Sequence, residues 1–222
     1  EEISIAAANA GKHVLAEKPF ASSASVKRII EACRRNDVAF MDGTHFVHHP
    51  RHHAIKDGMA ELVGSPWSVA SAFQFGLPNR GDIRYNAKLE PMGAIGDAGW
   101  YNMRAALEYL PRDAAPASVE AVLRRDEGTG AAISGSGVIQ FTDGSTTTWN
   151  CGFDSGALVM DLCITGFEGV VKIDNFLSQD EDGSARYFYK RGSWGPDVIR
   201  EDRHVESRLS GAALMFEDFA VI

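Results

Sequence analysis

The sequence predicts two fold classes in succession: an α/β segment with a parallel sheet, then a larger α+β segment with a mostly antiparallel sheet and helices on one face. The start of the chain alternates helix, strand, helix and strand, which is the order that closes a doubly wound parallel sheet. Beyond Gly43, strand-like segments follow one another with turn residues between them, as in antiparallel sheets. We therefore predict two domains, at residues 1–43 and 44–222.

The first segment has a local signal for each of its elements. The predictions are a helix at 1–10, a strand at 13–16, a helix from about 22 to 35 and a strand at 38–41. Gly11 is typical of a helix end, and serines offer caps for the second helix. That helix has apolar residues at the spacing of one helical face, namely Val26, Ile29, Ile30 and Cys33.

The second segment combines helical patterns with strand candidates. Pro50 suits the first turn of a helix that continues to Met59, and a further helix is predicted over 95–110. Strands are predicted over 67–75, 118–123, 133–141, 146–153, 158–165, 170–173 and 186–190. We expect hairpin turns at Asp143-Gly144 and Asp154-Ser155-Gly156, loops over 79–90, 180–183 and 192–196, and a last helix over 210–222 that the chain end truncates.

Composition limits the functional classes. The 222 residues are 45% hydrophobic and 23% charged, as in ordinary globular proteins, and this length allows two small domains. A net charge of −8 without a basic cluster argues against a nucleic-acid partner, and no apolar run is long enough to cross a membrane. Cysteines at 33, 151 and 163 lack a paired spacing, so we expect free thiols and a cytoplasmic protein.

Two motifs carry a family resemblance. Residues 10–19, AGKHVLAEKP, and residues 93–101, GAIGDAGWY, resemble the signatures of the Gfo/Idh/MocA oxidoreductases, and 40–43 and 48–51 resemble the segment that leaves their cofactor domain. The sequence is most similar to the dihydrodiol dehydrogenase-like and plant oxidoreductase-like branch. The resemblance implies a Rossmann-type domain for NAD or NADP, and oxidation or reduction at a CH–OH group of a sugar, polyol or dihydrodiol. It also implies a homo-oligomer formed through the open face of the second sheet.

One expected feature of a dinucleotide domain is missing from the sequence. No Gly-x-Gly-x-x-Gly lies between a strand and a helix, where its backbone would approach the pyrophosphate. The glycines at 128–130 and 135–137 lie in a β-like region and indicate hairpins or bulges. Since the chain begins without Met inside a helical pattern, we predict an N-terminally truncated enzyme, with any targeting segment in the missing part. The alternative is a non-catalytic scaffold that has lost dinucleotide binding.

A candidate site begins at the end of the strand over 13–16. Ligands in open α/β sheets bind beyond the carboxyl ends of the strands, and Glu17, Lys18 and Pro19 follow this strand directly. Lys18 could equally be a solvated lysine. The resemblance implies that these three residues contact the cofactor, that Lys18 is also catalytic, and that the bond before Pro19 is cis.

A second group of candidates lies in and before the second motif. Asp97 and Tyr101 are four apart on the helix predicted over 95–110, so their side chains point the same way. If the two domains meet, the ammonium of Lys18 would lower the pKa of Tyr101 and make it a usable base. The resemblance implies that Lys18 and Tyr101 form the acid/base pair. Tyr101 as a simple core residue is the alternative.

Asp97 and Arg84 are candidates for binding substrate. Asp97 has the chemistry to accept hydrogen bonds from a polyol or to hold Lys18, and Arg84 offers a rigid donor fork to a substrate oxygen. The alternatives are a carboxylate that stabilises a helix start and a solvated loop arginine.

The histidines at 45, 48, 49, 52 and 53 include pairs four residues apart, a spacing that can bind zinc on a helix. No His-Glu-x-x-His pattern or nearby cysteine supports a metal, so we predict packing or cleft-lining roles and no metal site. Many proteins of the resembled family have an arginine just before the His48-His49 pair, whereas this chain has Val47.

Overall fold

The computed structural model describes residues 1–179, 183–192 and 194–222. Its first part contains α1 Glu2–Asn9, β1 Val14–Ala16, α2 Ser23–Arg35 and β2 Phe40–Asp42. The two strands are parallel neighbours, with Val14 opposite Phe40. A small core of Ala8, Val14, Ile29, Ala32 and Cys33 joins both helices to this sheet. The prediction of a parallel α/β segment is therefore confirmed.

Within the described residues, the second part contains eight strands. They are β3 Pro66–Gly76, β4 Pro116–Arg125, β5 Ala132–Phe141, β6 Thr146–Gly152, β7 Asp154–Gly166, β8 Val170–Ile173, β9 Ser184–Arg191 and β10 Ile199–Glu206. The α-helices are α3 Pro50–Asp57, α4 Met59–Leu62, α5 Gly93–Asp97, α6 Gly99–Tyr109 and α7 Gly211–Ala220. Short 3-10 helices lie at His45–His48, Ile83–Tyr85 and Gly195–Asp197.

The large sheet has the order β10-β9-β8-β7-β3-β6-β5-β4. Its neighbours are antiparallel except for β3 and β6, which run parallel with Ser71 opposite Trp149. The mostly antiparallel α+β arrangement is thus confirmed. The hairpin expected at Asp154-Ser155-Gly156 is wrong. These residues begin β7, and although β7 runs antiparallel to β6, β3 lies between the two strands, so they do not pair.

Several predicted element bounds need correction. The helix expected over 95–110 is two helices, α5 and α6, that meet at Ala98, and the helix after Pro50 ends at Asp57. β10 was not predicted, because its many charged residues hide the strand pattern. Gly135 and Gly137 of β5 form no bulge, since both pair in unbroken register with β4 and β6. They allow close packing instead, because Cβ atoms there would lie 2.5 Å from Ile95 and 2.8 Å from Trp149. Residues 180–182 and 193, within two predicted loops, lie outside the described residues.

The two faces of the large sheet differ. Helices α5 and α6 pack on one face, where Val69, Thr147 and Cys151 are fully buried. The opposite face is open and forms a concave depression of about 870 Å³, lined in part by Ala72, Thr148 and Asn150. Within the described chain, no helix has the length and apolar character needed to cross a membrane.

Candidate active site

The turn after β1 holds the first group of candidates. The Lys18–Pro19 peptide bond is cis, as the resemblance implies. Glu17 lies beside Gly43, the residue that follows β2, and its carboxylate accepts a 2.7 Å hydrogen bond from the backbone N–H of Lys18. A Cβ at Gly43 would lie 3.0 Å from that carboxylate, so the small residue lets the strand ends approach closely.

The carboxylate of Asp97 forms ion pairs with both candidate cations, Lys18 and Arg84. Lys18 Nζ forms an ion pair with Asp97 Oδ1 and donates to its backbone oxygen at 3.2 Å. Arg84 Nε donates to Asp97 Oδ2 at 2.8 Å. Burial would raise the pKa of Asp97, but the hydrogen bonds from Lys18 and Arg84 outweigh burial and lower it. Asp97 ends α5 and does not start a helix, so it holds Lys18 instead of stabilising a helix start.

Tyr101 lies in the first turn of α6 and faces the same ion pair. Lys18 Nζ is 5.2 Å from the centroid of its ring, and the ring is 7% exposed. Phe73 packs edge-on at 5.7 Å, and His45 packs at 5.3 Å between ring centroids. Tyr101 is therefore both a core residue and a neighbour of Lys18.

The expected lowering of the Tyr101 pKa is wrong. Burial raises the pKa, and the carboxylates of Glu17 and Asp97 raise it further. The Lys18 ammonium, which is paired with Asp97, does not outweigh these effects. Tyr101 thus keeps its proton at neutral pH, so in this state it can donate a proton but cannot accept one.

Arg84 lies in the 3-10 helix of the polar segment before α5. Besides Asp97, it contacts Asp82, whose Oδ1 accepts from the Arg84 backbone N–H at 2.9 Å and from Nη1 at 3.3 Å. These contacts leave the side chain 37% exposed, so it is not a freely solvated loop arginine. Its guanidinium borders the Lys18–Asp97 pair from the solvent side.

Further contacts join the two parts of the chain around the site. Trp100 Nε1 donates to Thr44 Oγ1 at 2.9 Å, and the Trp100 and Phe20 rings lie 5.6 Å apart. A Cβ at Gly96 would lie 3.2 Å from Pro19, so this glycine allows the second motif to pack directly on the first.

His45 also lies at the site, although the sequence marks it only as one of the five histidines between residues 45 and 53. Its ring lies against Tyr101, and burial together with the charge of Lys18 lowers its pKa. The other histidines are spread over different contacts: His48 pairs with Asp218, and His52 contacts Tyr109. Across the described ranges no group of three His, Cys, Asp or Glu side chains is placed to hold a metal. Val47 packs against the main core.

The arrangement can move a proton and orient a polar substrate. A neutral phenol lies beside an ammonium that a carboxylate holds in place, at the carboxyl ends of two parallel strands. The described residues offer no strand–glycine loop–helix unit to hold the pyrophosphate.

Known proteins resemble this chain over most of its length. A dTDP-3,4-didehydro-2,6-dideoxy-alpha-D-glucose 3-reductase from Actinomadura kijaniata is 33% identical over 150 residues, which cover 67% of this chain and 44% of that protein. D-xylose 1-dehydrogenase (NADP(+)) 2 from Haloferax volcanii is 32% identical over 152 residues, covering 68% of this chain and 46% of that protein. The chain spans about half the length of the curated relatives it matches.

A solved structure extends the likeness to the whole fold. KijD10, a 3-ketoreductase from Actinomadura kijaniata in complex with NADP and TDP-benzene, matches with a TM-score of 0.84 and 26% identity. The match covers 100% of this chain and 66% of that chain. No protein-family model matches the sequence.

Proposed function

We propose that this chain, which belongs to the Gfo/Idh/MocA family of oxidoreductases, carries the proton-handling and substrate-binding residues of an NADP-dependent sugar oxidoreductase. The observation behind this proposal is the contact of Lys18 with both Asp97 and the ring of Tyr101 across the junction of the two sheets. A part-buried ion pair in contact with a titratable phenol is an arrangement typical of proton-transfer sites.

The proposed reaction joins a hydride transfer to a proton transfer. When bound, the reduced nicotinamide supplies the hydride that forms the new C–H bond at a substrate carbonyl carbon. Tyr101 Oη donates its proton to the carbonyl oxygen, so the ketone becomes an alcohol. The Tyr101 phenol is protonated at neutral pH, and the Lys18 ammonium next to its ring stabilises the phenolate that forms. The reverse steps oxidise an alcohol.

Asp97, Arg84 and Glu17 have supporting roles in this proposal. Asp97 holds the Lys18 ammonium beside Tyr101 and excludes other positions for it. The exposed edge of the Arg84 guanidinium binds a substrate oxygen, while its Nε stays on Asp97. Glu17, Lys18 and Pro19 contact the nicotinamide end of the cofactor from the turn after β1.

The substrate class is a carbohydrate with a ketone or a CH–OH group. Several curated relatives act on a dTDP-linked keto sugar, and another is a D-xylose dehydrogenase that uses NADP. These names support NADP over NAD and a sugar over a dihydrodiol. We propose a sugar or sugar nucleotide as the substrate without choosing between them.

The homo-oligomer and the cytoplasmic location stay predictions. The open face of the large sheet supports the first, since a concave surface of about 870 Å³ offers a second copy a place to pack. If the protein is a non-catalytic scaffold, a change at Tyr101 should affect no oxidoreductase activity.

The test compares Tyr101→Phe with wild type in the complete protein. Tyr187→Phe is the control, because Tyr187 is an equally buried tyrosine on β9. Assays follow the oxidation of NADPH with a dTDP-linked keto sugar and the reduction of NADP with D-xylose, and fluorescence titration measures NADPH binding. We expect Tyr101→Phe to lower turnover about 100-fold or more with NADPH affinity unchanged. Wild-type turnover in Tyr101→Phe would disprove the proposal.

A further inference from the structure

We infer that Arg104 is a positioning residue that sets the distance between Lys18 and Tyr101 by fastening helix α6 to the end of strand β2. This inference rests on the proposed function. Arg104 touches neither of the two candidate catalytic side chains in the described contacts, and its effect would pass through Asp42.

Arg104 bridges the two parts of the chain with two directed hydrogen bonds. Its Nη1 donates to Asp42 Oδ2 at 2.7 Å, across the junction. Its Nε donates to Glu108 Oε1 at 2.9 Å, one turn further along α6. The Arg104 and Asp42 side chains are 28% and 23% exposed, so water screens this pair only partly. A planar guanidinium held at both edges has little freedom to swing away.

The acceptor end of the bridge is itself fixed. Asp42 is the last residue of β2, and its Oδ1 accepts a 3.0 Å hydrogen bond from the backbone N–H of Thr44. Thr44 Oγ1 in turn accepts from Trp100 Nε1. Trp100 and Arg104 are one turn apart on α6, so two successive turns of the helix are bound to the segment 42–44.

The helix end of the bridge is fixed as well. Glu108 Oε2 accepts from Lys56 Nζ at 2.6 Å and lies 3.5 Å from His52 Nε2. These partners lie on α3, so Arg104 and Glu108 connect β2, α6 and α3 in one network. Hydrogen bonds from His52 and Lys56 and the charge of Arg104 lower the pKa of Glu108, which stays ionised at neutral pH.

The geometry links this network to the site. Tyr101 lies between Trp100 and Arg104 on the same helix, and Gly43, between Asp42 and Thr44, packs on Glu17 next to Lys18. A shift of α6 along β2 would therefore move the Tyr101 phenol relative to Lys18. Because rates of proton and hydride transfer fall steeply when donor and acceptor move apart, a small shift would lower turnover without removing any reacting group.

The test measures Arg104→Gln, Arg104→Lys, Asp42→Asn and the double variant Arg104→Gln with Asp42→Asn in the complete protein. Asp42→Asn keeps the acceptor for Thr44 and removes the charge opposite Arg104. Arg112→Gln is the control, since Arg112 is an exposed arginine just beyond the end of α6. The readouts are kcat, KM, NADPH affinity, and the kinetic isotope effect with deuterated NADPH.

We expect Arg104→Gln and Asp42→Asn each to lower kcat on the order of 10-fold with KM and NADPH affinity nearly unchanged, and to raise the isotope effect. The double variant should be no worse than either single variant, because the two act through one contact. Arg104→Lys should recover part of the loss. If Arg104→Gln fails to fold, Asp42→Asn and Arg104→Lys carry the same test.

Unchanged kcat and isotope effect in Asp42→Asn, or losses that multiply in the double variant, would overturn the inference. Tyr101→Phe is measured alongside. Turnover retained in Tyr101→Phe would refute the proposed function, whereas turnover lost in Tyr101→Phe but kept in Arg104→Gln and Asp42→Asn would refute this inference alone.

Discussion

Lys18 and Tyr101 face each other across the candidate site, but different kinds of contact hold them there. Tyr101 lies in a helix that packs on the eight-stranded sheet, with aromatic rings around it. Lys18 lies on a turn of a two-stranded sheet, and its side chain is fixed by the carboxylate of Asp97 from the other part of the chain. Apolar packing positions one group, and an ion pair positions the other.

Substitutions on the two sides of the site should therefore affect different properties, namely stability on the Tyr101 side and turnover at Lys18. Changes in shape or volume on the Tyr101 side disturb a core and should lower the free energy of unfolding. Changes at Lys18, and Tyr101→Phe, which keeps the ring, should remove chemistry and leave the fold. Variants at Gly93, Lys18 and Asp97 should show this difference.

The largest effect is expected at Gly93, where the second motif meets the large sheet. Gly93 has φ of 49°, and a Cβ there would lie 2.3 Å from the backbone oxygen of Ala132. Gly93→Ala should lower the free energy of unfolding by about 3 kcal/mol or more, because both backbone segments must shift. Gly156→Ala is the control, since nothing lies within 4 Å of its Cβ position, and should stay within about 0.5 kcal/mol. Urea unfolding followed by tryptophan fluorescence measures both; equal stabilities would contradict the prediction.

Lys18→Met should have the opposite effect, with stability almost unchanged and turnover much reduced. Removing the ammonium leaves Asp97 paired with Arg84, so the melting temperature should change by no more than about 3 °C. Turnover of the complete protein should fall on the order of 100-fold, because no cation remains to stabilise the phenolate of Tyr101. Lys12→Met, at an exposed lysine of the same motif, should keep wild-type turnover. A large loss of stability without loss of turnover would reverse the comparison.

The smallest effect is expected in the pH dependence of folding stability that arises from Asp97. Hydrogen bonds from Lys18 and Arg84 lower the pKa of Asp97 in the folded state. The contribution of its charge to folding stability is therefore fully present above the unfolded-state pKa, about 4. That contribution is lost as the pH falls through the lower folded-state pKa. Asp97→Asn should lower stability by about 2 kcal/mol at neutral pH. The difference between wild type and Asp97→Asn should shrink below about pH 4. A difference that stays constant down to acid unfolding would show that the charge of Asp97 contributes nothing.

The sequence predicted the fold class because its signals were local. Gly11, the capping serines and the apolar spacing of α2 each act within a few residues. The position of β3 between β6 and β7 was not predicted. Strand order depends on contacts between distant residues, which turn signals do not encode. β10 was missed because edge strands use charged residues to remain soluble.

In the candidate site, too, local motifs were predictable from the sequence and contacts between distant residues were not. Two motifs marked Lys18, Asp97 and Tyr101, and Arg84 was predicted from its place in the polar segment before the second motif. The structure brings these four side chains together. The pKa of Tyr101 was predicted in the wrong direction, since its sign depends on which group holds the Lys18 charge. Arg104 gave no signal, because an arginine on a helix surface looks the same whether or not an aspartate from another sheet meets it.

The parallel pairing of β3 with β6 has a consequence for folding. β3 lies near the start of the second part, but its two neighbours, β6 and β7, are separated from it by long stretches of chain. Hairpins such as β4–β5 can form as soon as they leave the ribosome, whereas the central strand must wait until β7 is synthesised. Such high contact order slows folding. Until then one backbone edge of β3 stays unpaired, so the middle of the sheet needs protection from aggregation in the nascent chain.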